Sequence, residues 1–361
     1  YDINGRIKNV VSNGETAEYT YNFAGAVSEF KYGNGLKTVY EYDRLNRLTR
    51  LAGFDKKGRI IDERKIKYDA VGRKIMTDII TSDRIDERGK PYIENGRRYF
   101  TYDKKGQLTK VKYENGDSEE YGYDGFGNRT ISKIRDFNGF RTESYSYDVL
   151  NRLIGIKENK DEKVLEYDSR GNLIKVRKGD EILESYIYDR TNRLIRAENS
   201  DKTVASFMYD GNGRRVRKEN MHGVSEYVPD YTDEYNRVLF VSRKNGNESL
   251  IYGNGLIKSQ NCGESFCHFE NEMTSVMRIT DNAGKTKRIL QYSHFGDVYE
   301  FGKTKDIERT PLSFTGYECE ENLNLLYAQA RYYLPKIGRF AEEDINKGNG
   351  YLPESLNYYM Y

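Results

Sequence analysis

Apolar and polar side chains alternate in short runs along most of this chain, and each run ends on a tyrosine. Tyr19, Tyr40, Ile66, Phe100, Tyr121, Tyr145, Leu165, Tyr186 and Phe207 each stand two residues before such a tyrosine. The residues between are mostly polar, as with Thr20, Glu41, Lys67, Thr101, Ser146 and Glu166. A period of two predicts a strand with one packed face and one wet face. Beyond each corner Ile7, Val27, Leu48, Leu108, Leu153, Leu173 and Leu194 resume the apolar side.

The corner itself is a repeated phrase, written most fully as Tyr167-Asp168-Ser169-Arg170-Gly171-Asn172-Leu173. Further copies begin at Tyr1, Tyr21, Tyr42, Tyr68, Tyr102, Tyr123, Tyr147, Tyr188 and Tyr209, and most successive starts are 20 or 21 residues apart. The fourth residue after each tyrosine is glycine or asparagine, the types that most readily accept a positive φ, as a hairpin corner requires. The residue directly after each tyrosine is aspartate in every copy but one (Asn22), and its carboxylate can accept backbone N–H groups and hold the turn. The wider gaps, Tyr42–Tyr68, Tyr68–Tyr102 and Tyr123–Tyr147, read as loop insertions.

A two-stranded unit cannot bury its own face and must pair with its neighbours, so the fold class expected is all-β, an array of antiparallel β-hairpin repeats. Three stretches are expected: a hairpin array over 1–216, degenerate repeats continuing the sheet over 217–310, and a differently written end over 311–361. Ten repeats supply roughly twenty strands, a strip on the order of 100 Å wide at ~4.8 Å per strand. Curled on itself, such a strip closes a ring roughly 30 Å across, wide enough for a strand or loop and too narrow for a folded domain.

Composition adds exclusions. Lys and Arg number 59 against 57 Asp and Glu, so net charge gives no argument for nucleic acid. The basic cluster Arg214-Arg215-Val216-Arg217-Lys218 reads as a solvated sheet face. The 33 tyrosines read as sheet packing rather than as a sugar-stacking row, because they fall in phase with Leu, Ile and Phe. No apolar run is long enough to span a membrane. No signal peptide is visible, and the chain begins inside a repeat, as a cut through a longer protein would. Cys262, Cys267 and Cys319 are too few for a disulfide scaffold. With His268 they lack the four-ligand spacing that zinc wants, so neither metal nor cofactor is expected. His222 and His294 accompany no Gly-x-Ser-x-Gly nucleophile.

The end of the chain is the most specific part. Phe314-Thr315-Gly316-Tyr317-Glu318, Leu325-Leu326-Tyr327-Ala328-Gln329-Ala330-Arg331-Tyr332-Tyr333, Pro335-Lys336-Ile337-Gly338-Arg339-Phe340 and Leu356-Asn357-Tyr358-Tyr359-Met360-Tyr361 resemble the Rhs repeat-associated core, and Cys267 to Val276 looks like the strand before it. With the Tyr-Asp phrases, the whole chain resembles Rhs and YD-repeat proteins, a group that includes toxin-complex C components and, more distantly, teneurins. The resemblance implies a ribbon spiralling into a hollow shell that encloses a C-terminal toxin cargo. It implies a secreted or cell-surface location and secretion or toxin-complex delivery proteins as partners. A cell-surface adhesion or carbohydrate-binding module is the alternative.

In many members the core also cuts the chain by aspartyl chemistry, with one carboxylate charged as base and a second protonated as acid. Arg331 and Asp344 stand at the family's arginine and first aspartate. The second aspartate belongs to an Asp-Pro-x-Gly phrase beyond Tyr361, and Ile345 stands where the family prefers proline. Self-cleavage is therefore expected only of a longer chain. Read from the residues alone, a guanidinium in an apolar run demands a carboxylate, and Asp344, Glu342 and Glu343 are all near enough in sequence.

Overall fold

The computed structural model describes residues 1–12, 14–81, 95–136, 138–232, 237–261, 263–301, 312–320, 323–346, 348 and 353–360. The chain is all-β, as expected. Strands run from Asn9–Ser12 to Arg339–Phe340, and the helical turns among the described residues are two short 3-10 segments, Phe314–Gly316 and Pro353–Leu356.

The chain forms two compact units. One comprises residues 1–100, 246–293 and 298–316; the other comprises 101–245, 294–297 and 317–361. Within the first, strands from Asn9–Ser12 to Lys74–Thr81 pair antiparallel, each with the next in sequence. Glu248–Tyr252 to Thr286–Tyr292 follow the same rule. Within the second, the rule covers Leu108–Tyr113 to Val238–Arg243.

The corners form as the phrase dictates. All ten fourth-position residues have positive φ, from 58° at Asn46 to 89° at Gly72. Asp168 Oδ1 accepts the N–H groups of Arg170 and Asn172, both at 2.9 Å, and Oδ2 accepts Asn172 Nδ2 at 2.9 Å. Elsewhere an arginine replaces that asparagine, as where Arg193 Nε donates to Asp189 Oδ2 at 2.8 Å. Burial works against the Asp189 charge, but the Arg193 and Thr191 donors outweigh it and bring the carboxyl down to about 2.

The tyrosines lock one repeat to the next. Tyr42 donates its hydroxyl to the Val27 carbonyl at 2.7 Å, Tyr68 to Leu48 at 2.7 Å, Tyr123 to Leu108 at 2.8 Å and Tyr209 to Leu194 at 2.6 Å. Each bond runs from a corner tyrosine to the first strand residue after the preceding corner. Two residues earlier, Tyr19, Ile66, Tyr121, Tyr145, Leu165, Tyr186 and Phe207 are buried, so the packed-face reading holds.

The wide spacings are not loop insertions where the structure describes them. Between Tyr42 and Tyr68 lie Leu48–Phe54 and Ile60–Tyr68, strands of 7 and 9 residues. Between Tyr123 and Tyr147 lie Arg129–Asp136 and Gly139–Tyr147, of 8 and 9. Further ladder bonds absorb the extra residues, which a count of spacing alone cannot distinguish from loop. In the third gap Lys74–Thr81 is again 8 residues long, and 82–94 lie outside the described residues.

Two glycines separate conformational strain from crowding. Gly213 has φ +81° and nothing near its missing Cβ, whereas a Cβ on Gly171 would lie 2.7 Å from Glu343 and the Tyr359 hydroxyl. Gly213→Ala is expected to cost about 1–2 kcal/mol from the left-handed backbone alone. Gly171→Ala should cost distinctly more, and urea midpoints of the two variants provide the comparison.

Each unit has its own core. In the first, Ala17, Tyr19, Phe30, Tyr32, Leu36, Ile61, Ile257, Cys267 and Phe269 pack together. In the second, Leu153, Leu165, Leu173, Tyr186, Leu194 and Phe207 of the repeats receive Leu323, Leu325, Tyr332, Leu334 and Ala341 from the C-terminal segment. That segment is therefore seated on the packed face of the repeat wall.

Candidate functional site

A small antiparallel sheet carries the candidate residues. Glu318–Glu320 pairs with Leu325–Tyr327, which pairs with Tyr332–Leu334, which pairs with Arg339–Phe340. Arg331 lies in the bend before the third of these strands rather than inside one. The bend is closed by the Ala328 N–H to the Arg331 carbonyl at 2.9 Å, with Gln329 at φ +66°. Asp344 follows the fourth strand.

The structure brings these two together. Arg331 Nη2 lies 2.7 Å from Asp344 Oδ2, and the guanidinium stacks 3.8 Å from the centre of the Phe340 ring. Among the three carboxyls left open by sequence, Asp344 is the partner. Arg331 Nη1 and the Asp344 N–H both donate to the Tyr358 carbonyl, at 3.0 and 2.9 Å. Burial works against the charge on Arg331, and the carboxyls of Asp344 and Glu342 oppose that push.

The tyrosine-rich end is anchored beside the pair. The Phe340 N–H donates to the Tyr359 carbonyl at 3.0 Å, and Arg339 bridges to Met360. Asn357 accepts Arg339 Nη2 at 2.9 Å and donates to Asn128 Oδ1 at 2.7 Å. The Tyr359 hydroxyl donates to the Gly171 carbonyl at 2.7 Å. The family-like phrases of the C-terminal end thus meet the repeat corners side chain by side chain.

Sequence reasoning missed two features here. Glu342 is buried, accepts the Tyr332 N–H at 2.9 Å, and is pushed up to about 8 chiefly by burial, against the pull of that N–H and of Arg331. The second is a four-charge cluster. Arg215 and Lys218, expected on a solvated face, are buried against Glu318 and Glu320. Lys218 Nζ lies 2.9 Å from Glu318 and 3.1 Å from Glu320. The two basic positions point inward because the C-terminal sheet supplies the matching carboxylates about 100 residues later, as the separations of 100 and 105 residues show. A separation of three on a strand normally places two side chains on opposite faces, so nothing in the spacing of Arg215 and Lys218 signalled the cluster.

The remaining candidates fall elsewhere. His268 is buried with Nε2 3.0 Å from Ser259 Oγ, and burial followed by the Arg288 charge lowers it to about 3. Cys267 is buried, with burial raising its thiol to about 11, and Cys262 lies outside the described residues. His294 Nε2 sits 2.9 Å from the Tyr113 hydroxyl, and His222 is exposed.

The hairpin repeats and the core-like sheet packed on them define a YD-repeat shell protein. The sequence profile of the teneurin YD-shell family matches residues 1–136 and 58–361, which together span the whole chain. The chain belongs to that family. A tRNA3(Ser)-specific nuclease WapA of Bacillus spizizenii is 28% identical over 343 residues, covering 92% of this chain and 14% of the nuclease. A tRNA nuclease WapA of Bacillus subtilis is 29% identical over 345 residues, with the same coverages of 92% and 14%. A double-stranded DNA deaminase toxin A of Burkholderia cenocepacia is 24% identical, covering 90% of this chain and 20% of the toxin. The chain thus spans between a seventh and a fifth of these relatives. The crystal structure of TcdB2-TccC3 superposes over 100% of this chain and 20% of its own, with TM-score 0.70 at 16% identity, and so shares the fold.

Proposed function

We propose that this chain is part of the β-shell of an Rhs-type polymorphic toxin. In this reading the wall encloses a C-terminal toxin cargo, and Arg331 and Asp344 form one half of an aspartyl self-cleavage site. The observation carrying the proposal is the Arg331–Asp344 pair gripping the Tyr358 carbonyl on a sheet seated against the repeat wall. The fold of TcdB2-TccC3 and the name of the deaminase toxin relative support the container reading. The cleavage step needs a second carboxyl presented from further along the natural chain, with Asp344 acting as base toward a water. The corner tyrosines other than Tyr1, half-buried with several hydroxyls committed to carbonyls, weaken the carbohydrate-binding alternative.

The test is expression of a chain extended beyond Tyr361 through the natural downstream sequence. Wild type should give two fragments, and Asp344→Asn should give one band at full length. A single intact band from wild type removes the cleavage role. Cargo digested by added protease while the repeats stay folded removes the container role.

A further inference from the structure

Glu342 sits two residues from Asp344, yet it faces a different environment. Its side chain is 3% exposed, and Oε2 accepts the Tyr332 N–H beside the last ladder bond of that strand, Ala341 N–H to the Tyr332 carbonyl at 2.8 Å. Across from it stand the repeat-strand tyrosines Tyr186, Tyr188 and Tyr209, whose hydroxyl protons are held tightly chiefly by burial, and which would be held more tightly still beside an ionised Glu342. The Tyr188 hydroxyl is buried with no hydrogen-bond partner among the described residues. The cation in this field is Arg331, and both of its bonded nitrogens are engaged elsewhere, one by Asp344 and one by the Tyr358 carbonyl.

We propose that Glu342 is a positioning residue for the Arg331–Asp344 pair: buried against the repeat wall with Oε2 on the Tyr332 N–H, it ties the Arg331 bend to the Asp344 segment and leaves the guanidinium to Asp344 and the Tyr358 carbonyl. An ionised Glu342 would present a second carboxylate to the same cation, buried beside three tyrosines and bonded by no cationic nitrogen among the described residues. Either Arg331 would turn toward it or the short sheet would open; in both cases the pair loses its geometry. The role deepens the reading of Arg331 and Asp344 as half of a cleavage site.

The direction of the pH effect follows from the proton. A carboxyl that moves from 4.5 to about 8 on folding stabilises the fold fully below 4.5, and that contribution is lost as pH rises toward 8. The decisive measurement is a ¹³C NMR titration of glutamate-labelled protein of this length, with Glu342→Gln and, independently, Glu342→Asp identifying the signal. The resonance missing from both variants should titrate near 8. Glutamine keeps the acceptor for the Tyr332 N–H, so Glu342→Gln should fold. Relative to Glu342→Gln, the wild-type unfolding constant should rise on the order of 1,000-fold between pH 4.5 and pH 8. A signal titrating in the ordinary glutamate range, or the same pH slope in Glu342→Gln, overturns the proposal. Neither readout uses cleavage, so failure here and failure of an extended chain to cut are separate results.

Discussion

Replacing Arg215 with alanine is expected to lower stability by about 3–5 kcal/mol, because it strands buried carboxylates rather than merely deleting a cation. Arg215 is 3% exposed, bonds Glu320 and the Tyr332 hydroxyl, and stacks 4.3 Å from the centre of the Tyr327 ring. Its loss leaves Lys218 as the one cation bonded to both Glu318 and Glu320. The same cluster sets an acid limit. Burial alone would raise Glu318, but Arg215 and then Lys218 overcome it and bring it to about 2. A depressed carboxyl gives stability that is present above 4.5 and lost as pH falls toward 2. Urea unfolding of wild type should therefore shift to lower midpoints on acidification through that window. In Arg215→Ala the acid-dependent loss should shrink, and a midpoint at pH 7 equal to wild type would contradict the buried-cluster account.

Asp62→Ala is the second large effect, about 3–5 kcal/mol by the same logic in the other unit. Arg278 is 0% exposed; it bonds Asp62 through Nε and through Nη2 at 3.1 Å, while Nη1 reaches Thr286 Oγ1 at 2.5 Å. Without Asp62 the buried guanidinium loses the carboxylate that bonds two of its nitrogens. Hydrogen exchange should accelerate first in Ile60–Tyr68 and Val276–Asp281. The double replacement Asp62→Leu with Arg278→Met removes both charges and should recover most of the loss, since apolar side chains of similar size can replace a buried pair at little cost. Equal destabilisation of the single and double variants would show that packing, not charge, is at stake.

The repeat wall was legible because each of its rules is local. Alternation around Tyr145, Leu165 and Tyr186 names the packed face, and a glycine or asparagine four residues past each tyrosine names the corner. The core-like phrases at the C-terminal end were legible as a family pattern. Their geometry was not, since nothing near Arg331 in the sequence says whether Asp344, Glu342 or Glu343 receives it. Arg215 and Lys218 defeated the reading for a related reason. Whether a charged strand residue faces water depends on what lies opposite, and here the partners arrive from the far end of the chain. Glu342 had no signal at all beyond lying near an arginine, because burial of one carboxyl among three acidic neighbours is decided by which side of the short sheet meets the wall.

Because hydroxyl-to-carbonyl bonds fasten many of the repeats at their tyrosine rim, the opposite rim is free to vary. Ile60–Tyr68 and Gly139–Tyr147 reach 9 residues where Ser118–Tyr123 has 6, and all three end on their tyrosine at a shift in register. Extra length entered on the strands of a hairpin, 7 and 9 residues in one and 8 and 9 in another, leaves the fastened edge undisturbed. The wall can thus grow taller at one place without re-tailoring its neighbours, which gives this architecture room to change its contour while keeping its stitching.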